Sequence, residues 1–206
     1  MNDVEICNLA LGHLGQDANI TSIDPPELSF EALLCARFYP LARDVLLESA
    51  DWTFAMREEV PARVASDRPT WSYAFRVPEN CLRVVKLRQV GFTHSPMQPE
   101  IDTDDPWQVE ADRLGNPTIY THVGNPFVRY VSRDTPASTW SPLFIQALTW
   151  KLAAMLAGPI YKGEIGRDEA KRCEEMLTLY MRRAVSSNVG QSNVRLYRMP
   201  PWISRR

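Results

Sequence analysis

The sequence is poor in the residues that build reactive centres. It has three histidines, His13, His94 and His122, too few and too scattered for a metal centre. Its four cysteines, Cys7, Cys35, Cys81 and Cys173, stand far apart with no CxxC pair and no histidine at ligand spacing. That favours buried thiols in a reducing compartment over a zinc site or a disulfide framework. Glycine is scarce, at 9 residues, and no Walker-type glycine loop, GxSxG elbow or HExxH helix is present. Charge of one sign is missing too: 23 Lys and Arg against 25 Asp and Glu leave a net charge of −2. A general nucleic-acid binder carries a strong basic excess, so the balance argues against that class. No apolar run approaches the roughly 18 residues of a membrane span. The opening MNDVEICNLALGHLG lacks the basic region and cleavage site of a signal peptide. The expectation is a soluble chain, intracellular at synthesis, with no cofactor and no membrane partner.

Proline is plentiful and unevenly placed. Ten of the 16 prolines fall between Pro61 and Pro142, and proline is excluded from helix interiors. A length of 206 residues suits one domain with an insertion. The expected fold class is therefore α+β: an antiparallel bundle of about four helices (residues 1–56 and 138–188), an inserted β-rich domain (57–137), and an extended C-terminal tail (189–206).

The first helix is expected from Asp3 to Leu14, with Asn2 and Glu5 at capping-box spacing and Gly15 as the left-handed stop. Its apolar residues cover most of its circumference, so it should be largely buried. A second helix starts at the candidate N-cap Ser29, with Phe30, Leu34, Phe38, Leu41 and Val45 as its apolar stripe. Pro40 predicts a kink or a junction of two helices near Tyr39. Arg43 and Asp44 are read as lying on an exposed face, with Leu46 and Leu47 in the core. The segments Trp71–Val77 and Leu82–Val90 read as strands joined by the turn at Pro78–Cys81, and Thr118–His122 with Phe127–Ser132 as a second hairpin. Between them Gln89–Asp112 reads as irregular. Two helices close the chain. One, Leu143–Ala157, is apolar nearly all round and ended by Gly158–Pro159. The other, Arg167–Ser186, has Ala170, Cys173, Leu177, Tyr180 and Ala184 along one face. Trp52, Phe54, Trp71, Tyr73 and Phe75 are expected to cluster by core packing where the helices join the insertion.

Few constellations point to chemistry. The acids Glu100, Asp102, Asp104, Asp105, Glu110 and Asp112 miss the calcium-loop pattern because Pro106 and Trp107 interrupt it, so a solvated, mutually repelling loop is expected. Glu58, Glu59 and Glu100 are the carboxylates nearest an aromatic cluster or a flexible loop, yet nothing in their spacing marks a glycosidase pair. The tail is different. Arg195, Tyr197, Arg198, Met199, Trp202, Ile203, Arg205 and Arg206 interleave arginine with large apolar side chains and include no acid. That pattern suits a strand of nucleic acid, but these are also the residue types of protein interface hot spots. With a near-neutral chain, a protein partner is the better fit. The tail carries +4 against −6 on residues 1–188, and an acidic, grooved partner is expected to hold it.

Four stretches, EICNLALGHLG, ITSIDPPELSFEA, YPLARDVLLESADWTFA and TWSYAFRVPENCLRVVKL, together resemble the tail tubular protein A, or head–tail adaptor, family of short-tailed bacteriophages. The resemblance covers about the first 90 residues by motif and the remainder by helical layout. It implies a structural virion protein: a ring homo-oligomer of twelve copies between the portal protein and the tail nozzle protein. DNA passes through the lumen of such a ring without sequence-specific binding. It also implies assembly in the host cytoplasm and a final place at the head–tail interface of the virion. None of the matched motifs is catalytic, so no enzyme activity is expected. The alternative is a phage tail hydrolase acting on host peptidoglycan or polysaccharide.

Overall fold

The computed structural model describes residues 1–17, 19–89 and 106–191, with Gln89 described by its backbone alone. The protein is mixed α+β, with four helices and two antiparallel sheets. The helices are α1 (Asp3–His13), α2 (Phe30–Glu48), α3 (Pro142–Tyr161) and α4 (Gly163–Val189). The strands are β1 (Met56–Glu59), β2 (Arg63–Val64), β3 (Tyr73–Arg76), β4 (Cys81–Gln89), β5 (Trp107–Ala111), β6 (Pro117–Thr121) and β7 (Pro126–Ser132). The described residues fall into two compact units, Met1–Met56 with Val131–Gln191, and Arg57–Tyr130.

In the helical unit, α1 opens on the expected capping box. Asn2 Oδ1 accepts from the Glu5 N–H at 2.8 Å, and Glu5 Oε2 accepts from the Asn2 N–H at 2.9 Å. Gly15, at φ 68°, turns the chain out of the helix while the Gln16 N–H reaches back to the Leu11 carbonyl. Ile6, Cys7, Ala10 and Leu11 are buried, but Leu9 is exposed. α3 is the central element and touches α1, α2 and α4. It is long and apolar enough to cross a membrane by composition alone, although 61% of that stretch is buried inside the protein. The helix also runs through Gly158 and Pro159, which were expected to end it. The break comes instead at Lys162, the only residue between α3 and α4, whose φ of 54° and ψ of 168° reverse the chain. α4 therefore starts at Gly163, earlier than expected, with Cys173, Leu177 and Ala184 buried.

α2 departs most from expectation. It is a single helix across Pro40, not two. The side that packs is Ala32, Cys35, Tyr39, Ala42 and Leu46, at steps of 3, 4, 3 and 4. Small residues on this side let the helix backbone approach its neighbours closely. Ser29 caps the helix by accepting from the Ala32 N–H at 3.2 Å. Arg43 and Asp44 are half-buried rather than exposed, and Asp44 pairs with Arg43 at 3.0 Å and with Arg133 at 2.8 Å. Leu46 and Leu47 are buried as expected.

In the β unit, neither expected hairpin forms. The sheets have strand orders β1-β7-β4 and β2-β3-β6-β5. The β3–β4 turn and the β6–β7 turn each carry the chain from one sheet to the other. The segments were correctly placed as strands, but short turns do not by themselves make their flanks pair. What unites them is a shared core of Phe75, Val77, Leu87, Ile119, Val123, Val128 and Tyr130, drawn from both sheets. β5 lies in the stretch read as irregular and forms a true hairpin with β6, Trp107 opposite Thr121 and Ala111 opposite Pro117. Asp112 builds its turn, accepting from the N–H groups of Leu114 and Asn116 at 2.9 and 2.8 Å, with Gly115 at φ 84°. The expected five-residue aromatic cluster is divided. Trp52 and Phe54 pack on Phe144 in the helical unit, Tyr73 and Phe75 join the β core, and Trp71 lies against His122.

Candidate interaction surface

The apolar stripe expected to bury α2 is the face it turns outward. Phe30 is 53% exposed, Leu41 55% and Val45 42%, while Leu34 and Phe38 on the same face are half-buried. Leu33 and the preceding Leu28 add 48% and 97%. Together the exposed fractions of Leu28, Phe30, Leu33, Leu41 and Val45 amount to about three whole apolar side chains. Scattered surface leucines need no explanation, but a contiguous stripe over four turns of one helix marks an interaction surface. Arg37 is the exposed charge in its midst.

The eight tail residues from Arg195 to Arg206 lie outside the described residues, as do Glu100, Asp102, Asp104 and Asp105. The remaining acids of that stretch are engaged in pairs: Glu110 with Arg68 at 3.3 Å and Asp112 with Arg76 at 3.6 Å. Hydrogen bonds to the Asn116 and Leu114 N–H groups, with the Asn116 amide and Arg76 beside them, hold the Asp112 carboxyl below its ordinary range. Glu58 and Glu59 occupy adjacent positions of β1 and have separate partners. Arg129 sits 3.6 Å from Glu58, and the Tyr130 hydroxyl donates to Glu59 at 3.0 Å. Burial, reinforced by that bond, pushes the Tyr130 phenol up to about 12. These are structural pairings. Among the described residues no group of three metal-ligating side chains comes together.

Folding does create one pair that the sequence order hides. The Ser72 hydroxyl lies 3.0 Å from His122 Nδ1, with Trp71 tilted over the imidazole at 5.0 Å between ring centres. Tyr73 pairs with Thr121 across β3 and β6, so Ser72 and His122 are the next cross-strand neighbours. The signal was available only through that register. Both residues are exposed, and among the described residues no carboxylate orients the imidazole.

A second histidine is set among helices. His13 stacks on Trp150 with ring centres 3.7 Å apart and planes 7° from parallel, and the Arg172 guanidinium covers the indole at 5.6 Å. Arg172 also donates to the His13 carbonyl at 2.9 Å and pairs with Glu169. Thr149 donates its hydroxyl proton to the Gln146 carbonyl at 2.9 Å, so it accepts from His13 Nε2, 3.0 Å away. That assigns the Nε2–H tautomer to the neutral ring. Burial, and then the nearby Arg172 charge, lower the His13 pKa. Cys7, Cys35 and Cys173 are buried free thiols. Protein-family models give no match to this chain, and curated proteins give none either.

Proposed function

We propose that the protein is a structural virion component, a head–tail adaptor subunit that forms a ring of twelve between portal protein and tail nozzle protein and has no enzymatic role. In this reading the four helices are an antiparallel bundle carrying the β unit as an insertion. The tail is the portal-docking element, through Arg195, Tyr197, Arg198, Met199, Trp202, Ile203, Arg205 and Arg206. DNA passes through the lumen without sequence-specific contacts, and the ring is built in the host cytoplasm and resides in the virion.

The outward apolar face of α2 is the observation that carries the reading, because a ring subunit must offer a patch to its neighbour. Burying three apolar side chains is worth roughly 4–9 kcal/mol at ~1.5–3 kcal/mol each. Association costs ~4–15 kcal/mol. The face is therefore enough to align neighbours and too little to hold a free dimer, which suits a ring closed on a template. Imaging of the protein with a twelve-fold portal tests this. Twelve adaptors per portal are expected, and one or two per portal would overturn the ring.

Ser72 and His122 are the single observation favouring an envelope hydrolase instead. A nucleophile needs a base held in place by a third group, and this pair is a surface cross-strand contact without one. Purified protein should not turn over peptidoglycan or host polysaccharide. Turnover that disappears in Ser72→Ala would establish the hydrolase.

A further inference from the structure

The hairpin of β5 and β6 ends in an ordered turn that holds two side chains in solvent. Leu114 is 87% exposed, and the Arg113 side chain is 81% exposed. Each amide from Arg113 to Asn116 is already bonded within the chain. Asp67 Oδ2 accepts from the Arg113 N–H at 2.9 Å, and Asp112 Oδ1 accepts from the N–H groups of Leu114 and Asn116 at 2.9 and 2.8 Å. The Gly115 N–H donates to the Asp112 carbonyl at 2.9 Å. Asp67 is itself fixed by the Tyr120 hydroxyl, which donates to its Oδ1. The turn thus offers a partner no backbone donor, only a leucine and an arginine on a backbone already in place. Side chains carried on an ordered turn cost little backbone freedom to bind.

The outward face of α2 calls for such a contact. A ring subunit meets its two neighbours through different patches, so α2 of one copy faces some other part of the next. Its C-terminal half offers Leu41 and Val45, followed by the exposed Glu48, at steps of 4 and 3 and so on one stripe. The last turn contains no basic residue, and the negative end of the helix dipole adds to Glu48. Asp44 nearby is taken up by Arg43 and Arg133, and the N-terminal half carries Arg37 instead. An apolar side chain with a cation beside it therefore suits the C-terminal half. Among the described residues, Leu114 is the one exposed large apolar side chain outside α2 that adjoins a lysine or arginine in sequence. Ile165 and Val189 are also exposed, but they stand beside Glu164 and Asn188. Glu48 has a contact within its own chain, and Arg113 lies 3.9 Å from Asp67, so each would be shared. We propose that the Arg113–Leu114 turn of one copy docks on α2 of the next, with Leu114 between Leu41 and Val45 and Arg113 toward Glu48. This rests on the ring reading and names the contact between neighbours.

Two full-length variants isolate that contact. L114D loses the turn and keeps the α2 face; L41E loses the face and keeps the turn. When labelled L114D is titrated with unlabelled L41E to millimolar concentration, amide shifts over Leu41–Glu48 are expected. They should vanish when the unlabelled partner is L41E/L114D. With unlabelled L41E/R113E their initial slope should fall at least fivefold, and labelled L114D/E48K should recover most of it. Both single changes fall on exposed sites, and spectra that match the unmodified protein outside the substituted turn or helix verify each fold. No α2 shifts, shifts confined to the Phe30–Arg37 half, or shifts indifferent to Leu114 would overturn the proposal. The ring reading fails separately: twelve copies on a portal without these shifts would sink the turn and leave the ring, whereas the shifts without a ring would do the reverse.

Discussion

Lys162 holds a backbone conformation that glycine adopts far more readily, at φ 54° and ψ 168°. Such a residue costs ~1–3 kcal/mol, and here the conformation is enforced by helices on both sides. Lys162→Gly is expected to raise stability by about 1 kcal/mol in denaturant unfolding. Four residues on, a Cβ on Gly166 would lie 3.1 Å from the Ala157 carbonyl oxygen and 3.3 Å from the Gly158 Cα. Both are backbone atoms that cannot swing aside, so Gly166→Ala should destabilise the same corner. His13 gives a pH dependence of definite sign. Its pKa is lowered on folding, so between the folded and unfolded values the unfolded chain binds more protons. The contribution of the neutral ring is complete above the unfolded value of about 6.5 and is lost as pH falls through the folded one. His13→Gln should remove that part of the acid sensitivity, read as a smaller difference between unfolding curves at pH 7.5 and 5.5.

At the scale of elements, α2 separates two kinds of apolar position. Leu41→Glu alters an exposed site and should change stability by no more than about 0.5 kcal/mol while abolishing ring formation on a portal. Ala42→Glu, one residue along, buries a charge and should unfold the helical unit. If Leu41→Glu still forms rings, α2 is not the subunit contact. α2 also shows where sequence reading stops. Its start and its cap were legible, because these depend on local residues such as Ser29, whereas its continuity across Pro40 was not. Which side packs was not, because α2 is apolar on two sides and only tertiary fit chooses between Phe30–Leu34–Leu41 and Ala32–Cys35–Ala42. The β strands teach the same lesson: alternation located β3, β4, β6 and β7, whereas their partners depend on a core that assembles at long range. β5 was hidden among acids, its Glu110 and the following Asp112 compensated by Arg68 and Arg76 from distant segments. Ser72 and His122, 50 residues apart, were invisible for that reason as well.

For the whole molecule, the end of α4 is tied to the segment before β1. Thr53 donates to Gln191 Oε1 at 3.1 Å, and Asn188 accepts from the Thr53 N–H at 2.9 Å and donates to the Asp51 carbonyl at 2.7 Å. Truncation after Gln191 keeps these bonds, so circular dichroism and unfolding should match the full chain while portal affinity is lost. Unchanged affinity would show that the tail does not dock.

The two turns that pass between sheets govern how quickly this chain can fold. Among the described strands only β2 with β3 and β5 with β6 are neighbours in both sequence and sheet; Tyr73 must find Thr121 across 48 residues, and β1 must find β7. Closing such loops precedes the contacts that reward them, which slows assembly from the microseconds–milliseconds of helical proteins toward milliseconds–seconds. α3 and α4, with one residue between them, need no such search. In refolding, amides of α3 and α4 should gain protection first and those of β3, β6 and β7 last. For that interval the chain exists with a helical hairpin made and its strand edges bare, the period in which it is most exposed to aggregation.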